Sequence, residues 1–331
     1  MNMVTVSLGS NSGVAATKIE CAVANPECSV SVRHELYESD LLGETRDGKQ
    51  IYLFDYRRNS AVMREIGRLR EMTFRYVGEG TGMRRDLDQY DTYYRHLVLW
   101  DDSDAQIAGA YRIGEVANIL AARGVAGLYT SSLFTFTEKL LSANVLPQTL
   151  ELGRSFVQPR YWGMRSLDYL WVGIGAYVKR HPGMRYLLGP VSISDAYPRA
   201  AKDLLVHFYR HYFGDENVLA LARNRFVIED QNSIAHLGVF NGDDYEQDFR
   251  TLKASLAKCG LAVPTLYKQY TETYESGGVK FLDFNVDAKF ANCVDGLVLA
   301  DLDQLKPAKR ERYLGDGRSP LILPAVAVGN L

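Results

Sequence analysis

The chain has 331 residues, of which 47% are hydrophobic and 24% charged, which is typical of a folded globular protein and not of a disordered one. The formal net charge is -2, so the overall balance of charge does not indicate a nucleic-acid partner. The four cysteines form no C-x-x-C pair, which argues against a structural zinc site, and we expect no bound metal.

The N-terminal part of the chain carries few structural signals. Residues 1–16 lack a basic start and a long apolar core, so they do not predict a secretory signal. Residues 1–50 show no periodicity and are predicted to be a loosely structured lead-in. No uncharged apolar run in the chain approaches the roughly 20 residues that a membrane-spanning helix needs. We therefore expect a cytoplasmic protein, and a peripheral contact with the inner membrane stays open.

The first regular element is predicted over residues 59–77, where apolar side chains recur at helical spacing with arginines between them. Three glycines then end the helix, since glycine relieves the left-handed backbone past a helix C-terminus. Their G-x-G-x-G spacing follows a helix and not a strand, so we do not expect a phosphate loop here.

The remaining elements alternate between strands and helices. The hydrophobic pattern predicts a hairpin from strands at 96–100 and 107–113, followed by a helix at 135–143, a strand at 149–157, a helix at 167–180, a strand at 186–193, a mainly helical insertion at about 197–262, a helix at 266–274, and a final pair of strands at 279–284 and 296–300. This mixed order predicts a single α/β domain over residues 51–315, built on one mixed sheet flanked by helices, with a tail at 316–331.

Three stretches of the chain resemble the ornithine-lipid N-acyltransferase family, whose members are often labelled hemolysins. The resemblance rests on Asp86-Leu-Asp88-Gln-Tyr90-Asp91 with the following His96-Leu-Val-Leu and Gly109-Ala-Tyr111-Arg112, on Leu150-Glu151-Leu-Gly153-Arg154-Ser155 with Leu170-Trp171 and Gly173-Ile174, and on residues 285–305. Together these stretches cover about residues 55–315. The chain departs from the family at Phe156, where many members have cysteine, and in its long insertion.

The resemblance implies a GNAT-type sheet and an N-acyltransferase that moves a long acyl chain from a carrier thioester to the amine of an amino acid such as ornithine or glycine. It also implies a relationship to the acyl-homoserine-lactone and N-acyl amino acid synthases. The implied co-substrate is acyl carrier protein or acyl coenzyme A, with no permanently bound cofactor.

Glu151 is the main candidate for a catalytic residue. An amine attacks a thioester only as the neutral base, so some group must accept its proton. Glu151 lies inside an apolar strand, where burial would raise the pKa of its carboxyl group. Strand alternation predicts that Glu151, Gly153 and Ser155 share one face, opposite Phe156. The alternative is that Glu151 pairs with a buried arginine such as Arg112 and does no chemistry.

Further candidates are assigned to the acceptor and to proton transfer. Asp88 and Asp91 are predicted to hold a cationic acceptor group, although a solvated acidic loop is the alternative. His96 opens a strand and is a candidate proton relay, or else a structural residue. Arg112 and Arg154 each interrupt an apolar strand and need partners, which Glu151 and an acceptor carboxylate would provide. Ser155, beside Arg154, completes the predicted acceptor site.

The turn before the helix at 167–180 is the candidate donor site. Exposed N–H groups at a helix N-terminus bind phosphate, and two arginines add positive charge. The predicted donor-binding residues are Gln158, Arg160, Gly163 and Arg165. A single phosphopantetheine phosphate requires less of such a loop than the pyrophosphate of coenzyme A, which favours acyl carrier protein as the partner.

Other functions remain open at this point. The chain could be an acyl-homoserine-lactone-like synthase, a coenzyme A-dependent acetyltransferase, a membrane-active hemolysin, or a module that binds an acyl carrier without catalysis. A long-chain product would exclude the acetyltransferase, and the lack of a long amphipathic or spanning segment argues against the hemolysin.

Overall fold

The computed structural model describes residues 21–229, 240 and 242–315, together with the backbone of Leu321–Ile322. The strands in chain order are β1 (Asp40–Thr45), β2 (Lys49–Asp55), β3 (Arg95–Asp101), β4 (Gln106–Glu115), β5 (Phe134–Phe136), β6 (Thr149–Val157), β7 (Tyr186–Ile193), β8 (Ala220–Ala222), β9 (Val279–Asp287), β10 (Cys293–Asp301) and β11 (Leu321–Ile322). The helices are α1 (Ser29–Tyr37), α2 (Ala61–Tyr76), α3 (Val116–Arg123), α4 (Glu138–Ser142), α5 (Ser166–Arg180), α6 (Arg199–Phe213), α7 (Tyr245–Ala257), α8 (Thr265–Thr273) and α9 (Pro307–Leu314).

Nine of these strands form one mixed sheet in the order β11-β1-β2-β3-β4-β6-β7-β10-β9. All neighbours are antiparallel except β6 and β7, which are parallel. Parallel neighbours need a long crossover, and α5 provides it between these two strands. The single mixed sheet flanked by helices confirms the predicted fold class.

Alternating side chains of the central strands are buried in two hydrophobic cores, one on each face of the sheet. Leu53 and Leu97 point into the core that includes α5, whereas Phe54 and Val98 point into the core beneath α1 and α2. This is the period of two that a strand buried on both faces must show. The sheet therefore forms the middle layer of the molecule, and α2 and α5 lie on opposite sides of it.

The predicted helix at 59–77 is α2. Ser60 caps its first turn by accepting a hydrogen bond from the Met63 N–H at 3.1 Å. Past its C-terminus, Gly78 takes a positive φ of 78°, and the N–H of Glu79 returns to the carbonyl of Phe74 at 2.8 Å. That 6→1 bond fixes the direction in which the chain leaves the helix.

Two predicted segments differ from the structure. Residues 29–50 are not a loose lead-in, because they form α1, β1 and the start of β2, which extends the sheet; residues 1–20 lie outside the described residues. The helix predicted at 135–143 is the short strand β5 followed by α4. Phe134 and Phe136 are buried on alternate positions of β5, which pairs with β8 of the insertion.

The insertion holds α6, β8 and α7, so it is mainly helical but includes a strand that pairs outside it. Residues 230–239 and 241 lie outside the described part of the chain, as does most of the predicted tail. Of that tail, β11 pairs with β1 at the sheet edge.

Candidate functional site

The parallel strands β6 and β7 separate after three paired positions. Thr149, Leu150 and Glu151 pair with 186–188, and beyond them no further pairing joins the two strands. A cleft opens in the sheet at this point. The peptide groups of β6 that face the cleft therefore have no strand partner, which leaves them available to a ligand.

β6 carries a bulge where it borders the cleft. Arg154 has a positive φ of 48°, and the register against β4 shifts between Ala110 and Arg112. The extra residue breaks strand alternation. Gly153 pairs with Arg112 and Phe156 pairs with Ala110, so Phe156 lies on the same face as Gly153. The prediction that Phe156 faces the opposite side is wrong for this reason.

Two cavities meet in the cleft. The first, which we call the polar cleft, has a volume of about 400 Å³, and its lining includes Phe74, Glu79, Tyr129, Arg154, Ser155, Ser192, Tyr197, Phe290 and Asp295. The second, the apolar cavity, has a volume of about 530 Å³, and its lining includes Phe156, Val157, Tyr161, Trp162, Gly163, Met164 and Leu167. Both are open to solvent, and Val77, Ser155, Thr265 and Leu266 line both of them. Sizes in this range suit small-molecule ligands.

Glu79 enters the polar cleft from the turn that ends α2. The turn is tied to the end of β7, because Ser194 Oγ donates a hydrogen bond to the carbonyl of Val77 at 2.5 Å. Burial raises the pKa of Glu79 to about 8, and the nearby carboxylate of Asp295 adds to the rise. Among the described residues, none forms an ion pair or a side-chain hydrogen bond with the Glu79 carboxylate.

Asp295 enters the polar cleft from β10 and is buried, with 2% of its surface exposed. Its Oδ1 accepts a hydrogen bond from Ser192 Oγ at 2.6 Å, on the neighbouring strand β7. The thiol of Cys293 lies 3.5 Å from the same oxygen. Burial raises the pKa of Asp295 to about 7, although the hydrogen bond from Ser192 acts against that rise. A carboxyl group titrating near neutral pH is suited to accept a proton from an amine.

Arg154 forms the cationic wall of the polar cleft, but its charge is already matched. Its Nε lies 3.1 Å from Oδ2 of buried Asp86, and one of its terminal nitrogens lies 3.7 Å from Asp88. A third nitrogen donates to the hydroxyl of Tyr129 at 2.9 Å. The guanidinium group can therefore add hydrogen bonds to a ligand while supplying little uncompensated charge.

The predicted acceptor-binding residues Asp88, Asp91 and Arg112 belong to a buried ionic cluster behind the cleft. Asp91 contacts Arg70 at 2.8 Å and Arg112 at 3.2 Å, and Arg112 contacts Asp88 at 2.6 Å. Burial alone would raise the pKa of Asp91, yet the two guanidinium groups hold it well below its usual range. These groups are paired with one another or with Arg70, and none of the three lines either cavity.

His96 belongs to the same buried cluster. Its Nδ1 lies 3.3 Å from a nitrogen of Arg70, and its Nε2 lies 3.3 Å from the carbonyl of Asp91. Because arginine can only donate, Nδ1 accepts and Nε2 carries the proton. Burial lowers the pKa of His96 to about 4. The ring is thus neutral at physiological pH and lines neither cavity, so the geometry gives no support to the predicted proton relay.

Glu151 is also buried and does not line either cavity. Its carboxylate accepts hydrogen bonds from the hydroxyl of Tyr94 and from Thr130, whose N–H lies at 2.7 Å. No ion pair joins it to Arg112 among the described contacts, so the alternative role suggested for it has no support either. Burial raises the pKa of Glu151, as predicted. Its position suits a residue that fixes the segment around Thr130 against β6.

Of the four predicted donor-site residues, Gly163 lines a cavity and the other three do not. Gly163 lines the apolar cavity, and Arg165 is exposed at the N-terminus of α5, its guanidinium 5.9 Å from the ring of Tyr169. Gln158 is buried and donates to the carbonyl of Ile107. Arg160 is paired with Asp104 at 2.7 Å.

Sequence reasoning missed the two carboxylates of the polar cleft. Asp295 could have been found by the rule that singled out Glu151, since it also interrupts an apolar strand. Glu79 gave no such signal, because it stands among glycines in a turn. Only the order β6-β7-β10 in the sheet and the tie between Ser194 and Val77 bring the two together.

The described residues include neither a metal-binding cluster nor a membrane-spanning helix. Within them, no group of three or more His, Cys, Asp or Glu side chains could hold a metal ion. None of the described helices is long and apolar enough to cross a membrane.

Comparisons with known proteins identify relatives of this chain. Residues 69–172 match the family model described as acetyltransferase (GNAT) domain. The chain is 30% identical over 305 residues to glycine N(alpha)-acyltransferase of Bacteroides thetaiotaomicron, covering 88% of this chain and 89% of that protein. It is 30% identical to the enzyme of the same name from Phocaeicola vulgatus, covering 86% and 89%. It is 34% identical to L-ornithine N(alpha)-acyltransferase of Brucella abortus, covering 43% and 53%.

Proposed function

Since the chain belongs to the GNAT acyltransferase family, we propose that it transfers a long acyl chain from a thioester to the α-amino group of an amino acid. The observation that carries this proposal is the meeting of the two cavities at Ser155, between the separated strands β6 and β7. An apolar cavity suits an acyl thioester, and a polar cleft with carboxylates suits an amino acid.

The chemistry follows from the groups in the polar cleft. Asp295 accepts a proton from the α-ammonium group, which leaves the nitrogen neutral and nucleophilic. The nitrogen attacks the thioester carbonyl carbon, a C–N bond forms, and the C–S bond breaks. The leaving thiolate takes up the proton that Asp295 received. The attacking nitrogen loses its second proton to solvent as the amide forms, so the products are the amide, the thiol and one released proton. Peptide N–H groups of β6 that have no strand partner would stabilise the oxyanion.

Arg154 is proposed to bind the acceptor's carboxylate. It lines the polar cleft beside Ser155 and has N–H groups beyond those that Asp86 and Tyr129 occupy. Ion pairing behind the cleft holds the guanidinium in place before the substrate arrives, which reduces the entropy lost on binding.

The donor is proposed to be an acyl carrier protein, with acyl coenzyme A as the alternative. Trp162 and Met164 line the apolar cavity and are exposed, and the exposed Arg165 follows them directly before the first residue of α5. A helix N-terminus with one arginine can hold the single phosphate of a phosphopantetheine arm.

A direct assay tests this function. Purified protein is incubated with a long-chain acyl-carrier-protein thioester and pooled amino acids, and the N-acyl products are identified by mass spectrometry. We expect one or a few N-acyl amino acids, which Asp295→Asn abolishes and the exposed-surface variant Glu246→Gln does not. Folded protein that releases no thiol from a carrier shown to be acylated would exclude the proposal.

The same assay separates Asp295 from the catalytic residue that the sequence predicts. Asp295→Asn and Glu151→Gln are compared by single-turnover rate and by circular dichroism. If Asp295 is the base, its variant loses the chemical step with its fold intact, whereas Glu151→Gln lowers stability and keeps the chemical step in the folded fraction. The reverse pattern would reassign the base to Glu151.

The peripheral membrane contact stays a prediction. Sedimentation with anionic and neutral phospholipid vesicles tests it, and protein that remains in the supernatant with both would reject it.

A further inference from the structure

The hydrogen bonds of Asp295 distinguish its two carboxylate oxygens. Oδ1 accepts a hydrogen bond from Ser192 Oγ at 2.6 Å, and the Cys293 thiol lies 3.5 Å from the same atom. Among the described residues, none donates to Oδ2. Asp295 lines the polar cleft, and its Oδ2 is not one of the buried side-chain atoms that lack a partner. Oδ2 is therefore the oxygen that a ligand in the cleft can reach.

The sheet itself sets this arrangement. Ser192 of β7 and Asp295 of β10 lie directly opposite each other in an antiparallel ladder, so their side chains are on the same face. Cys293 precedes Asp295 by two residues on β10, which places the thiol on that face as well. The neighbours of Ser192 on β7, Val191 and Ile193, are buried on the other face. The hydroxyl group is thus held by a paired strand and not by a loop, which favours a fixed geometry.

The Ser192 hydroxyl also acts on the proton affinity of Asp295. Burial and the nearby Asp287 raise the pKa of Asp295, whereas the hydrogen bonds from Ser192 and Cys293 and the charge of Arg154 lower it. A hydrogen bond to the ionised form favours that form. Three further titratable groups interact electrostatically with Asp295, namely Glu79, Tyr129 and Tyr267. Among the described residues, only Ser192 and Cys293 contact its carboxylate through a hydrogen bond.

We propose that Oδ2 of Asp295 receives the proton of the acceptor's α-ammonium group, and that Ser192 is the positioning residue that holds Oδ1 and leaves Oδ2 for the substrate. This inference rests on the proposed function, in which Asp295 is the base, and adds to it the accepting atom and the residue that fixes it. The N–H bond of the ammonium group breaks and an O–H bond forms at Oδ2. Ser192 keeps its own proton throughout.

The test compares Ser192→Ala with Ser192→Thr, which retains the hydroxyl, and with Ser142→Ala on the exposed surface of α4 as the matched control. Single-turnover acyl transfer is measured between about pH 5 and pH 10, and circular dichroism checks the fold. In Ser192→Ala the midpoint of the rise in rate should move up by about one pH unit, because a hydrogen bond to a charged group is lost. The rate above the midpoint should fall about tenfold, because the carboxylate is no longer held in place. Ser192→Thr should restore both, and the control should change neither.

The outcomes distinguish this inference from the function on which it rests. An unmoved midpoint in folded Ser192→Ala would overturn the role of Ser192. A faster chemical step at high pH would overturn the assignment of Oδ2, because it would show that Ser192 competes with the substrate for Oδ1. Failure of Asp295 as the base is seen separately, as Asp295→Asn protein that keeps the wild-type rate.

A second measurement does not depend on turnover. If no amino acid is acylated, the titration of the Asp295 carboxyl carbon by NMR still decides whether Ser192 controls this group. A higher pKa of Asp295 in Ser192→Ala than in the wild-type protein would support that control, and equal pKa values would refute it.

Discussion

The junction at which β6 and β7 separate has room for a side chain on one strand only. A Cβ on Gly189 of β7 would lie 2.2 Å from the carbonyl oxygen of Leu152. On the facing strand, a Cβ on Gly153 would meet nothing closer than Tyr129 Cδ1, at 3.7 Å. The same glycine-to-alanine change is therefore a steric clash on β7 and is accommodated on β6.

The size of the effect follows from this clash. Gly189→Ala forces the strands apart by about 1 Å, and such overpacking costs about 1–3 kcal/mol of unfolding free energy. Restricting the unfolded chain returns somewhat less than about 1 kcal/mol. We expect a net loss of about 1.5 kcal/mol, which lowers Tm by roughly 2 °C for a chain of this length. A shift of about 1 Å across the cleft can lower kcat by about a hundredfold.

Differential scanning calorimetry and single-turnover acyl transfer measure these effects, with Gly153→Ala as the matched control. The control should keep its Tm within about 1 °C of the wild-type value. If the donor's pantetheine arm approaches β6 closely at Gly153, the control will raise KM for the donor without that change in stability. An unchanged Tm and kcat in Gly189→Ala would refute the reasoning, because it would show that the two strands can separate without cost.

Three further predictions concern the site. Because the pKa of Asp295 is raised to about 7, the rate of the chemical step should rise with pH through about 7. A carboxyl group whose pKa is raised on folding lowers the free energy of unfolding as pH rises from about 4 to 7. Asp295→Asn should therefore be inactive, yet at least as stable as the wild-type protein in denaturant titrations at pH 8. Asp91→Ala leaves two buried guanidinium groups without their shared partner and should cost about 3–5 kcal/mol of unfolding free energy; a loss below about 1 kcal/mol in urea unfolding would contradict this. Trp162→Ala at the mouth of the apolar cavity should raise KM for the donor about tenfold and leave KM for the acceptor unchanged; equal changes in both would contradict the division between the two cavities.

Local patterns predicted the elements that have one buried face and clear end signals. The helix α2 and the hairpin of β3 and β4 followed from periodicity and turn residues. β2 gave no such signal, because its central residues Ile51, Tyr52, Leu53 and Phe54 are buried on both faces and show no alternation. Strands of this kind are recognised only once their neighbours in the sheet are known.

The site was less predictable than the fold, for a related reason. Glu151, Asp91 and His96 stood out as polar residues in apolar surroundings, which is the property that buried structural carboxylates and catalytic ones share. The neighbours of each residue in the folded protein decide between the two roles. Here all three residues are hydrogen-bonded to neighbouring groups of the protein. Ser155 and Arg154 line the polar cleft, and their predicted role in substrate binding stays a prediction. The bulge at Arg154 has no signature in the sequence.

The polar cleft and the apolar cavity share Ser155, but most of their lining residues differ. If the acceptor and the donor bind as proposed, we expect a bound donor to leave the polar cleft free for the acceptor. Both substrates can occupy the enzyme together, so initial-rate plots at several fixed donor concentrations should intersect and not run parallel. The same arrangement favours inhibition by a bisubstrate compound, in which a stable linkage joins an acylated pantetheine to an amino acid. Such a compound would gain the binding energy of both cavities while losing translational freedom only once.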